Sequence, residues 1–540
     1  MKKLGSRLSF LLLLLLGFFM LVLSWRKWPD ILVDFGRELY VPWQINQGSL
    51  LYRDLMHLYG PLSQYWNALL FRVFGTQFLT LVVANLVLVA CLAYLIYYIF
   101  SRTADGLVAF LASAAFLGVF AFSQYYIKNG NYNFICPYSH ETVHGIFLSF
   151  LALCLYIFYL KKPKAMLIFG IGLVLGLVWL TKIEVFLAIS LAILSGIVVV
   201  GWTNKTGTKK ICITVGILAT GAVVPAIAFF LYFASRVPVK EALGLLFTPY
   251  QIFFKTPMPS NLFYRNISGL DQPSDNIYKL VIGGCLYMFI IAVSLFLSFV
   301  PTLAKSKNAQ NNIKIFILFP LLLLLIYLLN IFPLADIFRP LPLVTLTVGV
   351  LSFFRLRGEQ SGSTRSLAIF VFSIFSFILL MKMVFNAHLF HYGFVLGLPS
   401  FLLLVVLLVY YIPLLSERYP LDKEVLRIAG VAITVMIIIA QIKVTAYVYS
   451  LKTFAFACGS NTIFTNSQQV SNMGPDMQKA LLEIKENLKS DETFMVLPEG
   501  VILNFLSGRK NPTPFFEFNP PTLDIFGEDR ILGSMKAGAP

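Results

Sequence analysis

Long apolar runs and short polar gaps alternate along this chain to about residue 448. About a dozen runs hold roughly 18–24 apolar residues each, the length that crosses a bilayer core as a helix. The gaps are of two kinds. One is short and basic: Lys2, Lys3 and Arg7; Arg102; Lys161, Lys162 and Lys164; Lys205, Lys209 and Lys210; Lys305, Lys307 and Lys314; Arg355, Arg357 and Arg365; Arg418, Lys423 and Arg427. The other is longer and holds most of the acids, histidines, tryptophans, tyrosines and prolines. An excess of Lys and Arg in short loops marks the cytoplasmic side. The chemistry-bearing gaps are therefore expected outside.

The pattern predicts helices over about 7–24, 76–100, 106–124, 143–160, 165–181, 185–202, 211–234, 278–301 and 314–332. A short tenth helix follows the Pro333–Pro342 loop, and three more cover about 366–386, 393–413 and 426–448. Long outer loops fall at about 25–75, 125–142 and 235–277. About thirteen spans from an inside N-terminus send the chain outside after residue 448 and leave every basic gap inside. The first run has the basic flank of a signal peptide. Ser24-Trp25-Arg26-Lys27-Trp28 offers no small-x-small cleavage site, so it reads as an uncleaved helix.

Residues 449–540 break the pattern. Gln478–Ser490 has helical spacing with i,i+4 charge pairs, Thr493–Leu497 reads as a short strand, Pro498-Glu499-Gly500 as a turn and Ile502–Leu506 as a helical turn. The chain stops at Gly538-Ala539-Pro540 in a linker-like phrase. The expectation is an all-α polytopic membrane domain over 1–448, followed by a small extracytoplasmic α/β domain over 449–540 that is incomplete.

Composition sharpens this picture in two respects. A hydrophobic content of 58% and a mean hydropathy of +0.80 exclude a soluble globular domain. The net charge of +17 resembles that of a nucleic-acid binder, but much of it sits in the basic gaps, where membrane topology accounts for it; no nucleic-acid partner is expected. Cys91, Cys154, Cys212 and Cys285 lie in apolar runs. Cys136 and Cys458 fall in outer segments, where a bridge between them is open. No Cys/His zinc pattern occurs.

The first long loop is richest in chemistry. Asp34 and Glu38 are four apart, sharing one helical face with Arg37 beside them. A carboxylate near the membrane surface, next to a fixed cation, suits proton abstraction joined to anion binding. A solvated face of an interfacial helix fits the same spacing. Lys182, in the tight turn Thr181-Lys182-Ile183-Glu184, is a second cation at helix ends; snorkelling explains it equally. Arg265 and Arg339 are further loop cations. His140-Glu141-Thr142-Val143-His144 is a literal H-E-x-x-H, which on a helix sets two histidines on one face for zinc with a glutamate base.

The phrase Asp34-Phe35-Gly36-Arg37-Glu38, followed by Gly48-Ser49-Leu50-Leu51-Tyr52-Arg53-Asp54 and Tyr59-Gly60-Pro61-Leu62, resembles the GT-C membrane glycosyltransferases. The nearest resemblance is to the group that includes protein O-mannosyltransferases and the lipid A aminoarabinose transferase. Leu180-Thr181-Lys182 and the tail phrases Leu497-Pro498-Glu499-Gly500 and Asn504-Phe505-Leu506-Ser507-Gly508-Arg509 belong to the same likeness, which covers nearly the whole chain. It implies a GT-C fold in the plasma (inner) membrane. It also implies a polyprenyl-phosphate-linked sugar donor and inverting transfer, on the outer face, to a hydroxyl of a lipid, glycan or protein. Asp34 is then the general base. Glu38, although a catalytic candidate, departs from the adjacent-acid spacing of the mannosyltransferases. The leaving phosphate needs fixed positive charge, for which Arg37, Lys182, Arg265 and Arg339 are candidates. In this frame His140, Glu141 and His144 approach a divalent ion or a phosphate, or simply hydrogen-bond in the donor pocket; no cofactor is established, and a divalent metal stays open.

Two other classes compete. An intramembrane zinc metalloprotease would use the H-E-x-x-H but has no third ligand in Leu270-Asp271-Gln272 or Leu421-Asp422-Lys423. A transporter or flippase would need more charge inside the spans than Lys382 and Lys443 supply. Cysteine labelling or reporter fusions should find residues 25–75, 125–142, 235–277 and 450–540 outside. A cytoplasmic tail would break the thirteen-span reading.

Overall fold

In hydrocarbon a helix satisfies each backbone N–H and C=O within itself, so uncharged apolar runs are helical here. In the computed structural model, which describes residues 2–127, 130–255, 261–304, 306–332, 334–358 and 364–538, eleven helices are long and apolar enough to cross a membrane. The chain is a multi-pass membrane protein. Lys305 of one basic gap, Pro333 of a short loop and the closing Ala539-Pro540 lie outside the described residues.

The chain opens with α1 (Lys2–Ser24), then two short helices in the first long loop, α2 (Phe35–Asn46) and α3 (Leu62–Phe74). There follow α4 (Phe78–Thr103), α5 (Gly106–Ala115, continued by a π-turn Phe116–Ala121), α6 (His140–Lys161), α7 (Ala165–Trp179), α8 (Ile183–Thr203), α9 (Thr208–Ala234) and α10 (Val239–Lys255). The remaining long helices include Pro273–Phe299, Lys307–Ile331, Leu341–Gly358, Thr364–Leu380 and Lys423–Ser450. The expected count of about thirteen becomes eleven by length. The apolar helices Gly106–Ala121 and Ala165–Trp179, at the expected third and fifth spans, are shorter. Fifteen residues in α7 reach only about 22 Å of a hydrocarbon core about 30 Å thick.

After Ser450 the chain forms a two-stranded antiparallel ribbon, β1 (Lys452–Phe456) with β2 (Ile463–Asn466), Phe456 facing Ile463. The helices Met473–Asn487 and Ile502–Ser507 follow. Thr493–Leu497 is not the strand expected from its residues. Of its amides Phe494 N–H finds a main-chain acceptor (Lys510, 3.2 Å), and the Phe494 carbonyl takes the Asn504 side chain instead of a neighbouring strand. No cysteine is bridged among the described residues; Cys136 is buried and Cys458 exposed.

Two glycines bring the distant parts together. A Cβ on Gly36 would lie 2.6 Å from the Ile502 nitrogen, so glycine lets the tail helix Ile502–Ser507 press onto α2. A Cβ on Gly60 would lie 2.2 Å from the Leu180 carbonyl oxygen. Without it, Gly60 N–H donates to Thr181 O (2.8 Å) and Leu62 N–H to Leu180 O (3.0 Å), stitching the first loop onto the α7–α8 turn. The tail is sewn to the same loop by Met56 N–H to Pro514 O and Asn511 N–H to the Tyr40 hydroxyl, both 2.9 Å.

Candidate active site

Asp34 is delivered by a locked turn. The Asp30 carboxylate accepts from Leu32 N–H (2.8 Å), Val33 N–H (3.1 Å) and Gly130 N–H (2.9 Å), while Asn131 Nδ2 donates to Val33 O (2.7 Å). These bonds hold Asp34 at φ 57°, ψ −54°, a conformation that non-glycine residues seldom adopt and that clusters at functional sites. Its carbonyl accepts Arg37 N–H (3.0 Å) to start α2. Its side chain stays 26% exposed, with Arg37 Nη1 3.4 Å away. Burial raises the Asp34 pKa to about 8; Arg37 opposes the shift, and Glu517, Glu499 and Glu38 add to it.

Arg37 is the hub. Its Nη1 donates to both oxygens of Glu517 (3.0 and 2.9 Å), its Nε to Glu38 (3.2 Å) and its Nη2 to the Tyr138 carbonyl. Burial works against the charge, but Glu517, Asp34 and Glu38 outweigh it, and Arg37 stays cationic. Loop, tail and the segment before α6 meet on this one guanidinium.

Behind it lies a closed polar network. Glu38, fully buried, accepts from Arg37 Nε on one oxygen and, on the other, from Gln64 Nε2 (3.2 Å), His140 N–H (3.1 Å) and His140 Nδ1 (2.5 Å). It thereby caps the positive N-terminus of α6. Asn85 Nδ2 donates to His140 Nε2 (2.9 Å), so the proton of a neutral His140 is on Nδ1, facing Glu38. Glu141 accepts from His57 Nε2 and Gln64 Nε2 (both 2.9 Å) and from Ser139 Oγ (2.6 Å). His144 Nδ1 hydrogen-bonds Ser63 Oγ (2.9 Å). The H-E-x-x-H side chains therefore address three different sets of protein partners. Among the described residues no three His, Cys, Asp or Glu side chains form a group able to hold a metal. The Arg37 guanidinium takes the place a cation would have among Asp34, Glu38 and Glu517. The residues do not fit a metal centre.

Lys182, 4% exposed, donates to the Tyr138 hydroxyl (2.8 Å) and Thr142 Oγ1 (3.1 Å). Its ammonium stands 4.2 Å from the Tyr59 ring centre, 4.8 Å from Tyr138 and 5.7 Å from Tyr392. Burial lowers its pKa to about 8, against the support of Glu184. Glu184 Oε1 is shared, 3.6 Å from Lys182 Nζ and 2.9 Å from Lys382 Nζ, so two cations face one carboxylate. The Arg37 guanidinium carbon stands 6.0 Å from the centre of the same Tyr59 ring. Arg265 is exposed and donates to Leu270 O, while Arg339 donates to Asn276 Oδ1 (2.8 Å) and Phe385 O (3.3 Å); both tie loops together, without a contact to Asp34, Arg37 or Lys182.

Of the residues singled out in the sequence, the structure brings together Asp34, Arg37, Glu38, His140, Glu141 and Lys182. Glu517, His57, Gln64, Glu184, Lys382 and the tyrosine cage join them without having been expected there. His57 lies two residues before Tyr59-Gly60-Pro61, and that spacing was its only signal. Glu517 has none, since nothing local ties residue 517 to residue 37.

No family model matches the sequence, and no curated protein matches it. Among solved structures, the apo oligosaccharyltransferase of Archaeoglobus fulgidus overlays 93% of this chain and 64% of its own, at 12% identity and a TM-score of 0.50. The chain thus spans a little under two thirds of that protein. ArnT of Cupriavidus metallidurans overlays 93% of this chain and 84% of its own, at 12% identity and a TM-score of 0.41 in the apo state, and at 11% and 0.36 bound to undecaprenyl phosphate. The fold is that of the GT-C membrane glycosyltransferases.

Arg37→Ala would leave Glu38 and Glu517 buried without their partner, and breaking a buried ion pair costs about 3–5 kcal/mol. The variant should show a stability loss of that order in detergent unfolding, and Arg37→Lys a smaller one, since it keeps the charge without the fork. An unchanged transition would mean that Arg37 does not hold loop and tail together.

Proposed function

We propose that this protein is an inverting glycosyltransferase of the plasma membrane. It takes a sugar from a polyprenyl-phosphate donor and transfers it to an acceptor hydroxyl at the extracytoplasmic face, where loops and tail meet. The observation that carries the reading is the contrast among the site's acids: Glu38 and Glu141 are consumed by donors, while Asp34 is part exposed, backbone-strained and raised in pKa. The shared fold and the motif resemblance support it.

Asp34 accepts the proton of the acceptor hydroxyl as that oxygen attacks the anomeric carbon. The bond from that carbon to the phosphate oxygen breaks on the opposite face, so the anomeric configuration inverts. The polyprenyl phosphate leaves with the electron pair, and Asp34 passes its proton to water. Lys182 and Lys382, sharing one carboxylate, leave one uncompensated positive charge for the phosphate. Arg37 holds Asp34 in place and Glu38 holds the start of α6; both act through position.

Asp34→Asn should lower transfer at least about a hundredfold while the protein stays folded and inserted, because it keeps the shape and removes the base. Full activity in that variant, measured with purified protein and a lipid-linked sugar, would sink the assignment.

The pH profile provides a separate check. Asp34, with its pKa raised to about 8, is charged and competent only above that value. Lys182, lowered to about 8, is cationic only below it. Activity should therefore rise and fall around pH 8 in a narrow bell. Lys182→Arg, charged at every pH, should move the alkaline limb upward without shifting the acidic one. An unmoved alkaline limb would remove Lys182 from phosphate binding.

A further inference from the structure

A cavity of about 460 Å³ lies between the C-terminal end of α2, helix α3 and the loop-side end of α9. None of its lining residues belongs to the Asp34 cluster. Three arginines line it, one from each side: Arg53 from the loop after α2, Arg72 from the last turn of α3 and Arg236 from just past α9. Asn46, Ser49 and Tyr65 add polar groups.

The charges in this cavity are not balanced. Arg53 is paired with Asp54 (2.9 Å), and Glu241 also lies within its electrostatic reach. Among the described residues neither Arg72 nor Arg236 makes an ion pair or hydrogen bond through its guanidinium; Arg236 rests over the Tyr232 ring at 5.7 Å, with Tyr65 also in its electrostatic reach. Three unrelated segments have brought like charges to one concave site, a repulsive arrangement that an anion would relieve.

The surroundings say which anion. Helix α3, which carries Arg72, exposes Leu69 (49%) in the cavity wall and Val73 (62%) next to Arg72, its Trp66 (48%) and Phe74 (70%) line a neighbouring apolar cavity, and α9 exposes Leu231 (60%) five residues before Arg236. These side chains suit hydrocarbon and the arginines do not, so the cavity opens where the helix bundle leaves the acyl region. Arginine forks match phosphate oxygens bidentately. A ligand with a phosphate head and apolar chains would satisfy both parts; a soluble oxyanion would use only one.

We propose that the Arg53, Arg72 and Arg236 cavity binds the phosphate headgroup of a membrane lipid, as a site separate from the Asp34 centre. The assignment does not depend on the role given to Asp34.

The test uses the full chain purified in a nonionic detergent, with thermal unfolding titrated against dihexanoyl phosphatidic acid, dihexanoyl phosphatidylcholine and inorganic phosphate. The phosphatidic acid should stabilise the protein saturably, and the other two little. The double variant Arg72→Gln with Arg236→Gln should melt as the parent does without ligand and need at least about ten times more phosphatidic acid for half the effect. Should the double variant not fold, Arg72→Gln alone should still raise that concentration severalfold. Asp34→Asn should leave the response intact. An unchanged response in the arginine variants would overturn the site. Equal stabilisation by inorganic phosphate would overturn the lipid and leave a free oxyanion site.

Discussion

Burying a guanidinium removes its hydration, and the cost is recovered only when its donors meet acceptors of good geometry. Arg37 meets that condition by drawing on residues 101 and 480 positions away in sequence, the Tyr138 carbonyl and the Glu517 carboxylate, besides its neighbours Asp34 and Glu38. No local segment could satisfy it. The first loop, the segment before α6 and the tail must close together, or the charge is left unpaired. Much of the architecture at this end of the molecule follows from that constraint. Gly36 admits the tail helix, Gly60 admits the α7–α8 turn, and Asp30 with Asn131 fixes the backbone just before Asp34.

That closure also sorts carboxylates that look alike in sequence. Glu38 caps α6 and holds His140. Glu141 is enclosed by His57, Gln64 and Ser139. Each has both oxygens engaged by buried donors. Asp34 receives one neighbouring cation at 3.4 Å, among several acids. Environment separates a part-exposed carboxylate of raised pKa from two enclosed ones of the same chemistry.

The helices were legible because their signal is local: runs of apolar residues bounded by charge. The acidic first loop was legible for the same reason. In the tail the deciding interactions are distant. Thr493–Leu497 has the residues of a strand, but its neighbours in space supply one main-chain acceptor and a side chain, so no ladder forms. The true strands, Lys452–Phe456 and Ile463–Asn466, are short and straddle a three-residue turn of 3₁₀ helix that interrupts the alternation. The expected spans at 106–124 and 165–181 carry the right composition, and only their helical length falls short. Arg265 and Arg339 carried the right charge, yet the structure uses both to pin loops.

The H-E-x-x-H of α6 shows how a spacing rule can hold while its usual chemistry does not. The two histidine rings do share a face, their centres 5.6 Å apart. A metal ligand must turn a lone pair toward the common point. The His140 lone pair is taken by Asn85 and its N–H by Glu38, while His144 turns to Ser63 on α3. The glutamate between them, which would serve as base, is occupied on both oxygens. Together His140, Glu141 and His144 instead tie α6 to four elements: α2 through Glu38, α3 through Gln64 and Ser63, α4 through Asn85, and the loop before Tyr59 through His57. The i,i+4 face that suits zinc is equally a face on which four elements can be anchored at one helix start. In this chain the anchors stand directly behind the Arg37 cluster. The motif is therefore part of what keeps Asp34 where it is.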